Sequence, residues 1–331
     1  MSCDIKKTVL LTALQRARSA VAQNDLLPIL TFINLRDGLL SAYDGRHAIR
    51  VKVPELKGIQ TSVKYDKFFK AVEACSDVVT LEVMKTRLEV RSGRFRAKVA
   101  LVDDIFPYSM KEDEGTGWEP LLDEHFIEAL RVLLPLVSQD MSRPWQTGLW
   151  LNGTHAYATQ NICLARMPCE WPLAPVLLPR AVVQELLSLN SNIECVSIFQ
   201  NRLLFDCGDY LMDVQTLSDP YSLSVVQMLD EVEKKGVETP IPPGLADAVI
   251  KISGFVGDDK FPCVYFGKGG VATEDKEHFA QVTGFELPTS AFNVDAILNV
   301  FQISSHLDLK DFPKCPFKGP RVIGMIAGLR T

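Results

Sequence analysis

The sequence predicts an α+β protein built from one module of about 110 residues that recurs along the chain. Residues 87–108, RLEVRSGRFRAKVALVDDIFPY, return 115 positions later as residues 202–221, RLLFDCGDYLMDVQTLSDPY. The segment AYDGRHAIRVKVP at Ala42 returns 114 positions later as AYATQNICLARMP at Ala156. Two independent segments with nearly one period indicate a duplicated domain, because solenoid repeats are only about 20–50 residues long.

A fainter third copy, GVATEDKEHFAQVTG, begins at Gly270. Chance similarity among amphipathic hairpins is the alternative, and the third copy taken alone leaves it open. A chain of 331 residues suits two or three domains. We therefore predict three tandem α+β domains over residues 1–113, 118–228 and 237–331, separated by polar linkers at 109–120 and 223–239.

The first module is predicted to begin with a helix over residues 6–24. Leu10, Leu14, Ala17 and Val21 form its buried stripe, and no acidic residue occurs from 5 to 24. Period-two alternation in the repeated hairpin predicts two strands around a turn at Ser92-Gly93. Between the first helix and this hairpin we expect strands at 31–35, 39–42, 47–53 and 60–63 and a helix at 66–75.

The second and third modules follow the same plan. A helix over 123–137 is ended or kinked by Pro135, and a second helix over 179–190 has Pro179 in its first turn. Arg180, Gln184 and Ser188 share a face of that helix without acids. The remaining predicted strands lie at 148–151, 155–159, 163–167, 195–199, 263–266, 278–285 and 322–326, and the remaining helices at 244–256 and 290–301.

Charge is unevenly distributed along the chain. The net charge is −6, yet residues 1–113 hold 19 lysines and arginines against 14 aspartates and glutamates. A basic first third on an acidic body indicates a local positive surface. No apolar run is long enough to span a bilayer and no leader is visible, so we expect a soluble cytosolic protein.

No catalytic or metal-binding pattern stands out. The eight cysteines form no C-x-x-C pair and are read as reduced core thiols. The five histidines lack ligand spacing, and the G-x-S-x-G, H-E-x-x-H and Walker motifs are absent. Asp103-Asp104 is either a carboxylate pair or a solvated corner. The pattern predicts binding rather than catalysis, with no cofactor and no metal.

Several motifs resemble the bacterial replication sliding clamp, the β subunit of DNA polymerase III. In the first domain these are LPIL at 27–30, VRSGR at 90–94 and DIFP at 104–107. Ala158-Thr159, Leu164-Ala165 and LPR at 178–180 resemble the second domain, and VIGM at 322–325 resembles the last strand. The match is strong in two domains and thin in the third. The chain is shorter than typical cellular members, which fits a phage-encoded version.

The resemblance implies a head-to-tail homodimer whose six domains, each with two helices packed on antiparallel sheets, close into a ring around duplex DNA. Such a ring performs no chemistry and tethers the replicative polymerase by topology. The implied partners are sequence-independent double-stranded DNA, a DNA polymerase and a clamp loader, in the cytoplasm or, for a virus, the host cytoplasm.

The resemblance also places site residues. Lys67, Arg94, Arg96 and Arg180 fall on or beside basic DNA-proximal positions; Lys64 and Lys70 are added from charge alone, with an ordinary solvated face as the alternative. Asn24 stands where the family usually has arginine. A partner-peptide cleft has Thr159, Ile162 and Leu164 on one wall and Met325 and Ile326 on the other, unless Ile162 and Leu164 are core residues. Phe255 and Val256 resemble the dimer contact, which would meet the hairpin edge near Phe95 or Val99.

The competing hypothesis is a protein-binding scaffold of duplicated α+β domains that never encircles DNA. An enzyme whose site is assembled across domains is a more distant alternative.

Overall fold

The computed structural model describes residues 2–23, 27–102, 106–108, 117–121, 124–188, 193–199, 202–217, 223–257 and 261–329. Short helices alternate with antiparallel strands, which confirms the predicted α+β class. The helices are α1 (Lys7–Ala17), α2 (Tyr65–Glu73), α3 (Phe126–Leu133), α4 (Arg180–Ser188), α5 (Leu223–Lys235), α6 (Leu245–Ser253) and α7 (Val294–Ile303).

The strands carry most of the hydrogen bonding between segments distant in the chain. They are β1 (Ser2–Lys6), β2 (Phe32–Arg36), β3 (Leu39–Tyr43), β4 (His47–Lys52), β5 (Gln60–Lys64), β6 (Val78–Val83), β7 (Arg87–Ser92), β8 (Phe95–Val102), β9 (Glu119–Pro120), β10 (Gly148–Asn152), β11 (His155–Thr159), β12 (Cys163–Pro168), β13 (Val176–Pro179), β14 (Cys195–Phe199), β15 (Arg202–Asp206), β16 (Tyr210–Gln215), β17 (Cys263–Ala272), β18 (Phe279–Asn293), β19 (His306–Leu307), β20 (Lys314–Lys318) and β21 (Ile323–Ala327).

The chain forms two compact units. The first comprises residues 1–122 and 188–216, and the second comprises 123–187 and 217–331. Each unit therefore combines segments from two of the predicted domains. The boundaries of the three predicted domains stay a prediction.

The first unit contains an antiparallel sheet in the order β1-β6-β7-β8-β5-β2-β3-β4-β16-β15-β14-β9. β8 pairs with β7 along residues 95–100, but it reaches β5 only through Leu101 and Val102. β4 pairs with β16 from His47↔Val214 to Val51↔Tyr210, which joins the first repeat to the second. Helices α1 and α2 bury Leu10, Leu14, Phe68 and Val72 against this sheet.

The second unit contains a sheet in the order β13-β10-β11-β12-β21-β20-β19 and a separate β17–β18 hairpin. β12 pairs with β21 from Cys163↔Ile326 to Arg166↔Ile323. The strand β12 is the copy of β4 in the second repeat, so both copies pair with a strand from later in the chain. Helix α3 packs on β11 and β12 through Phe126, Leu130 and Leu133.

Most predicted elements are confirmed, with shifted ends. The turn of the first hairpin is at Gly93, whose φ of 57° suits glycine. Helix α3 ends at Leu133 and continues as a single 3₁₀ turn containing Pro135. The prediction missed β1, β6, β9, β13, β19 and β20. Gly270, where the faint third copy begins, lies in β17, which pairs with β18. All eight cysteines carry free thiols.

The predicted linker over 223–239 is wrong. Residues 223–235 form helix α5, whose Val225, Leu229 and Val232 are buried. The segment was predicted to be a linker because it holds many charges, although its three aliphatic residues recur at helical spacing. In the other predicted linker, residues 109–116 lie outside the described part of the chain, while β9 pairs with β14.

Candidate functional site

Helix α1 presents an exposed polar face without acids. Thr8, Thr12 and Gln15 are exposed on it, opposite the buried Leu10 and Leu14. Arg16 is different, because its Nη1 lies 2.5 Å from Asp209 Oδ2 and its guanidinium lies 5.4 Å from the centre of the Tyr210 ring. This arginine is engaged with its own unit.

Helix α2 and the residue before it carry three of the predicted DNA-binding lysines. Lys67 and Lys70 are exposed, and Lys64 is half-buried at the position preceding the helix. Asp66 and Glu73 are exposed on the same helix, so this surface is mixed in sign. Arg18, exposed in the 3₁₀ turn just beyond α1, is a further cation that was not among the predicted DNA-binding residues.

Arg94 and Arg96 belong to another surface. Arg94 is exposed in the β7–β8 turn, and Arg96 lies directly opposite Arg91 in the ladder. Alternation places Arg96 on the face opposite buried Leu88, Val90 and Val99, and α2 packs on that buried face. The helix lysines and Arg96 therefore lie on opposite sides of one sheet and do not form a single wall.

The face that carries Arg96 is organised around a carboxylate. Glu89 accepts hydrogen bonds from Arg87 and, at 2.7 Å, from Arg91, and the Nε atom of Arg96 lies 3.8 Å from it. The hydrogen bond from Arg91, with the flanking positive charges, holds the pKa of the Glu89 carboxyl below its usual value. Part of the positive charge on this face is thus neutralised internally.

The Arg180 side chain is hydrogen-bonded to the backbone of the turn that follows α3. Its Nη1 donates to the backbone oxygens of Leu134 and Val137, at 2.8 and 2.6 Å. These carbonyls end the turn after α3, where a cation is favourable. Burial lowers the pKa of the Arg180 guanidinium. Gln184 and Ser188 on the same helix are exposed. Asn24 lies outside the described residues.

The predicted partner cleft lies on the β12–β21 pair. Leu164 on β12 is paired with Met325 on β21 and, across the other edge of β12, with Thr159 on β11. Directly paired residues point to the same face of a sheet, so the three side chains share one face. Thr159 is buried and donates its hydroxyl to the Cys163 carbonyl. The two predicted walls are adjacent strands of one continuous sheet.

The remaining two cleft residues are placed differently. Ile326 pairs with Cys163, is fully buried, and lies on the opposite face, toward α3. Ile162 precedes β12 and is half-buried, and its carbonyl accepts from the Ala327 amide at 2.6 Å.

Helix α5 lies on the sheet face that carries Leu164. Its Val225 and Leu229 form a cluster with Tyr157 and Leu177, and Leu164 packs against that cluster. Among the residues described, α5 is in contact with both β12 and β21. The sheet is thus covered by α3 on one face and by α5 on the other.

A buried cation fixes α5 to the sheet. Arg166 on β12 is only 4% exposed, and its Nη1 and Nη2 lie 2.5 Å from Asp230 Oδ1 and Glu233 Oε2 respectively. Burial opposes its charge, but the two carboxylates outweigh burial and raise the pKa of Arg166. Burial and the charge of Arg166 lower the pKa of neighbouring His155.

The predicted dimer residues occupy two open surfaces. In the described residues, the outer edge of β8 over residues 95–100 has no strand partner; Phe95 is half-buried, whereas Val99 is buried in the core. In the second unit Phe255 is 59% exposed and stacks on His278 with ring centres 4.1 Å apart. Val256 is half-buried beside it, and the exposed Phe261 and Phe279 line the two hollows that Phe255 also lines.

Across the described residues, no three histidine, cysteine, aspartate or glutamate side chains come close enough together to hold a metal ion. None of the helices in the same part of the chain has the length and apolarity needed to cross a membrane.

Comparison with solved structures decides the architecture. The chain superimposes on the DNA polymerase sliding clamp of Bacillus subtilis with a TM-score of 0.80 at 17% identity, covering 100% of this chain and 99% of that one. The chain has the sliding-clamp fold. Two further structures superimpose on this chain with 100% of both chains covered. They are the sliding clamp (DNA polymerase III subunit beta) of Pseudomonas aeruginosa, with a TM-score of 0.79 at 16% identity, and Caulobacter crescentus pol III beta, with a TM-score of 0.80 at 18% identity.

Comparisons by sequence find nothing. No family model matches the chain, and no curated protein matches it. The sliding-clamp fold is therefore shared with bacterial clamps at a sequence distance that neither of these two comparisons by sequence bridges.

Proposed function

We propose that this protein is a DNA sliding clamp, a ring-shaped processivity factor that encircles duplex DNA and performs no catalysis. The observation that carries the proposal is the full-length match of the sliding-clamp fold, which spans the whole of this chain and of two of the bacterial clamps described above. A domain-level similarity would have left the function open.

The sheet inventory supports a head-to-tail homodimer. The β4–β16 pair joins the four strands β5-β2-β3-β4 to the four strands β16-β15-β14-β9. The β12–β21 pair joins the four strands β13-β10-β11-β12 to the three strands β21-β20-β19. In the described residues, neither the strand group β1-β6-β7-β8 nor the hairpin β17–β18 is joined to a second strand group in this way. An open edge and an exposed aromatic surface need covering. A second copy that places β17–β18 and Phe255 against the β8 edge satisfies both, and a closed ring needs two such contacts.

A monomer-forming variant tests this contact. Phe255→Asp with Phe261→Asp places charges on the exposed aromatic surface without touching the core. We expect light scattering to give the mass of two chains for the wild-type protein and of one chain for the variant at the same micromolar concentration. A control, Met141→Asp, alters an equally exposed apolar residue elsewhere and should remain dimeric.

DNA contact in this proposal is weak and independent of sequence, because a threaded ring is retained by topology. The exposed α1 face, Arg18 and the lysines of α2 are the candidate contacts. Each phosphate neutralised contributes about 0.9 to the slope of log affinity against log salt. Lys67→Ala with Lys70→Ala should lower that slope by about one to two, whereas Arg94→Ala with Arg96→Ala should leave it nearly unchanged.

Topological retention tests the function itself without a clamp loader. Protein is threaded onto linear duplex DNA that has one end on a bead, and the free end is then capped with a bulky protein. We expect retention in 0.5 M salt to require the cap, and restriction cleavage between bead and cap to release the protein. Loss in high salt despite the cap, or retention after cleavage, would favour the protein-binding scaffold instead.

The partners follow from the same proposal. A DNA polymerase and a clamp loader would dock on the face that carries Leu164 and Met325, and action on DNA implies the cytoplasm, or the host cytoplasm for a phage protein. Phage origin stays a prediction.

A further inference from the structure

The predicted partner surface already has an occupant. Helix α5 covers the face of β11, β12 and β21 on which Leu164 and Met325 lie, and it buries Val225 and Leu229 against Tyr157, Leu177 and Leu164. Leu164 and Met325 stay half-buried beside the helix. A partner segment that buries Leu164 against Tyr157 and Leu177 must therefore take the place of α5.

We propose that α5 is an intramolecular ligand of this surface, and that the partner segment is an acidic amphipathic helix that replaces it. The inference rests on the proposed function only for the identity of the partners. The surface and its chemistry are given by the contacts of α5.

The apolar part of the surface selects side chains at helical spacing. Val225, Leu229 and Val232 fall at i, i+4 and i+7, which is the spacing by which a helix lies in an apolar groove. A replacing helix therefore needs aliphatic residues at these three positions.

The charged part of the surface selects carboxylates. Arg166 is almost fully buried and has two carboxylate partners, both from α5. A replacing segment without an acid would leave this cation covered with the Tyr157 hydroxyl but no carboxylate, which is strongly unfavourable. Asp230 and Glu233 therefore indicate an acid at i+5 or i+8 from the first aliphatic residue.

The attachment of α5 is suited to exchange. The side chains of Asp230 and Glu233 are 46% and 58% exposed, so they return to water easily when the helix leaves. Three other residues in the second half of α5, Glu231, Lys234 and Lys235, are also exposed, as is Gly236 after it. The helix is anchored by one buried row of aliphatic residues, by the partly buried Val226 and Met228, and by one arginine.

A synthetic peptide with the sequence of residues 222–236 serves as the probe in trans. Against the wild-type chain it competes with the tethered α5, whose effective concentration is about millimolar. The full-length variant Asp230→Asn with Glu233→Gln weakens only the tethered copy. We expect this variant to bind the labelled peptide at least tenfold more tightly than wild type does.

Two controls make the result specific. Glu231→Gln changes an exposed acid on the same helix that makes no contact with Arg166, and it should bind the peptide as weakly as wild type does. A peptide with the Asn and Gln substitutions should bind the double variant at least tenfold more weakly than the parent peptide.

Equal peptide affinity of the wild type and the double variant, in a double variant whose α5 amides exchange with solvent faster than in wild type, would overturn the inference. So would unchanged α5 exchange, because Arg166 would then not hold the helix. The DNA-retention assay is independent of this test: peptide exchange without DNA retention refutes the proposed function alone, and DNA retention without peptide exchange refutes the inference alone.

Discussion

The two repeats join their neighbours in the same way but cover the joints differently. In the first unit β4 pairs with β16, and in the second unit its repeat copy β12 pairs with β21. In both, the face opposite the packed helix is covered by chain that follows the repeated hairpin. At the first joint that cover includes Tyr108; at the second it is helix α5.

The first joint is closed by a compact polar network. Asp213, 3% exposed, accepts from the hydroxyl of Tyr108 and from Nε of Arg202, both at 2.6 Å. Tyr43 stacks on Tyr108 at 5.3 Å, and the Arg202 guanidinium lies over both rings. Burial, and then the charge of Asp213, raise the pKa of Tyr108. The carboxylate here is the buried partner.

The second joint reverses that arrangement. The buried partner is the cation Arg166, which belongs to the sheet, and the carboxylates belong to the cover and face solvent on their other side. Without Tyr108, Asp213 keeps the strand residue Arg202 as its ionic partner. Without α5, Arg166 loses both of its carboxylates. The same repeat position therefore supports a fixed joint where both members of the ion pair belong to the sheet, and an exchangeable joint where the carboxylates belong to the cover.

The largest expected effect is at the first joint. Asp213→Ala leaves Arg202 and Tyr108 without their shared acceptor, and we expect the free energy of unfolding to fall by about 3 kcal/mol. Urea denaturation measures the loss. Asp209→Ala removes an exposed partner of Arg16 in the same unit and should cost at most about 1 kcal/mol. Equal losses in the two variants would contradict a buried network.

A smaller effect is expected at the second joint. Arg166→Met replaces a buried cation with an apolar side chain of similar length, and the freed carboxylates remain hydrated. We expect a change of about 1 kcal/mol or less in the free energy of unfolding, accompanied by faster amide hydrogen exchange in α5. If the variant loses as much stability as Asp213→Ala, the second joint is as fixed as the first and the contrast fails.

The smallest effect concerns a carboxylate outside both joints. The pKa of Glu89 is lowered in the folded state, so its contribution to stability is present above the unfolded value of about 4.3 and is lost as pH falls. Glu89→Gln should therefore lower the melting temperature at pH 7, and the difference from wild type should shrink toward pH 3. A difference independent of pH would exclude the ionised carboxylate as its cause.

Much of the fold could be predicted from the sequence because the repeat and the strand alternation are local signals. The hairpins at Gly93 and Gly208 were predicted from a turn glycine between alternating residues, and both form. Strands such as β1 and β20 were missed because their pairing is set by distant segments, and a two- to five-residue strand carries little pattern of its own.

The candidate sites were less predictable, because charge in a sequence does not show what a side chain touches. Arg180 has the right sign for DNA but is bound to the carbonyls of Leu134 and Val137. Ile326 and Met325 are neighbours in sequence but lie on opposite faces of β21. Helix α5, which packs on the predicted partner surface, was not predicted because its many charges conceal the helical spacing of Val225, Leu229 and Val232.

Particle imaging by electron microscopy tests the central claim most directly. At a concentration where light scattering gives two chains per particle, class averages should show rings with a hole wide enough for duplex DNA. The Phe255→Asp, Phe261→Asp variant should give open, half-sized arcs under the same conditions. Two-chain particles without a hole would contradict the claim that this protein encircles DNA.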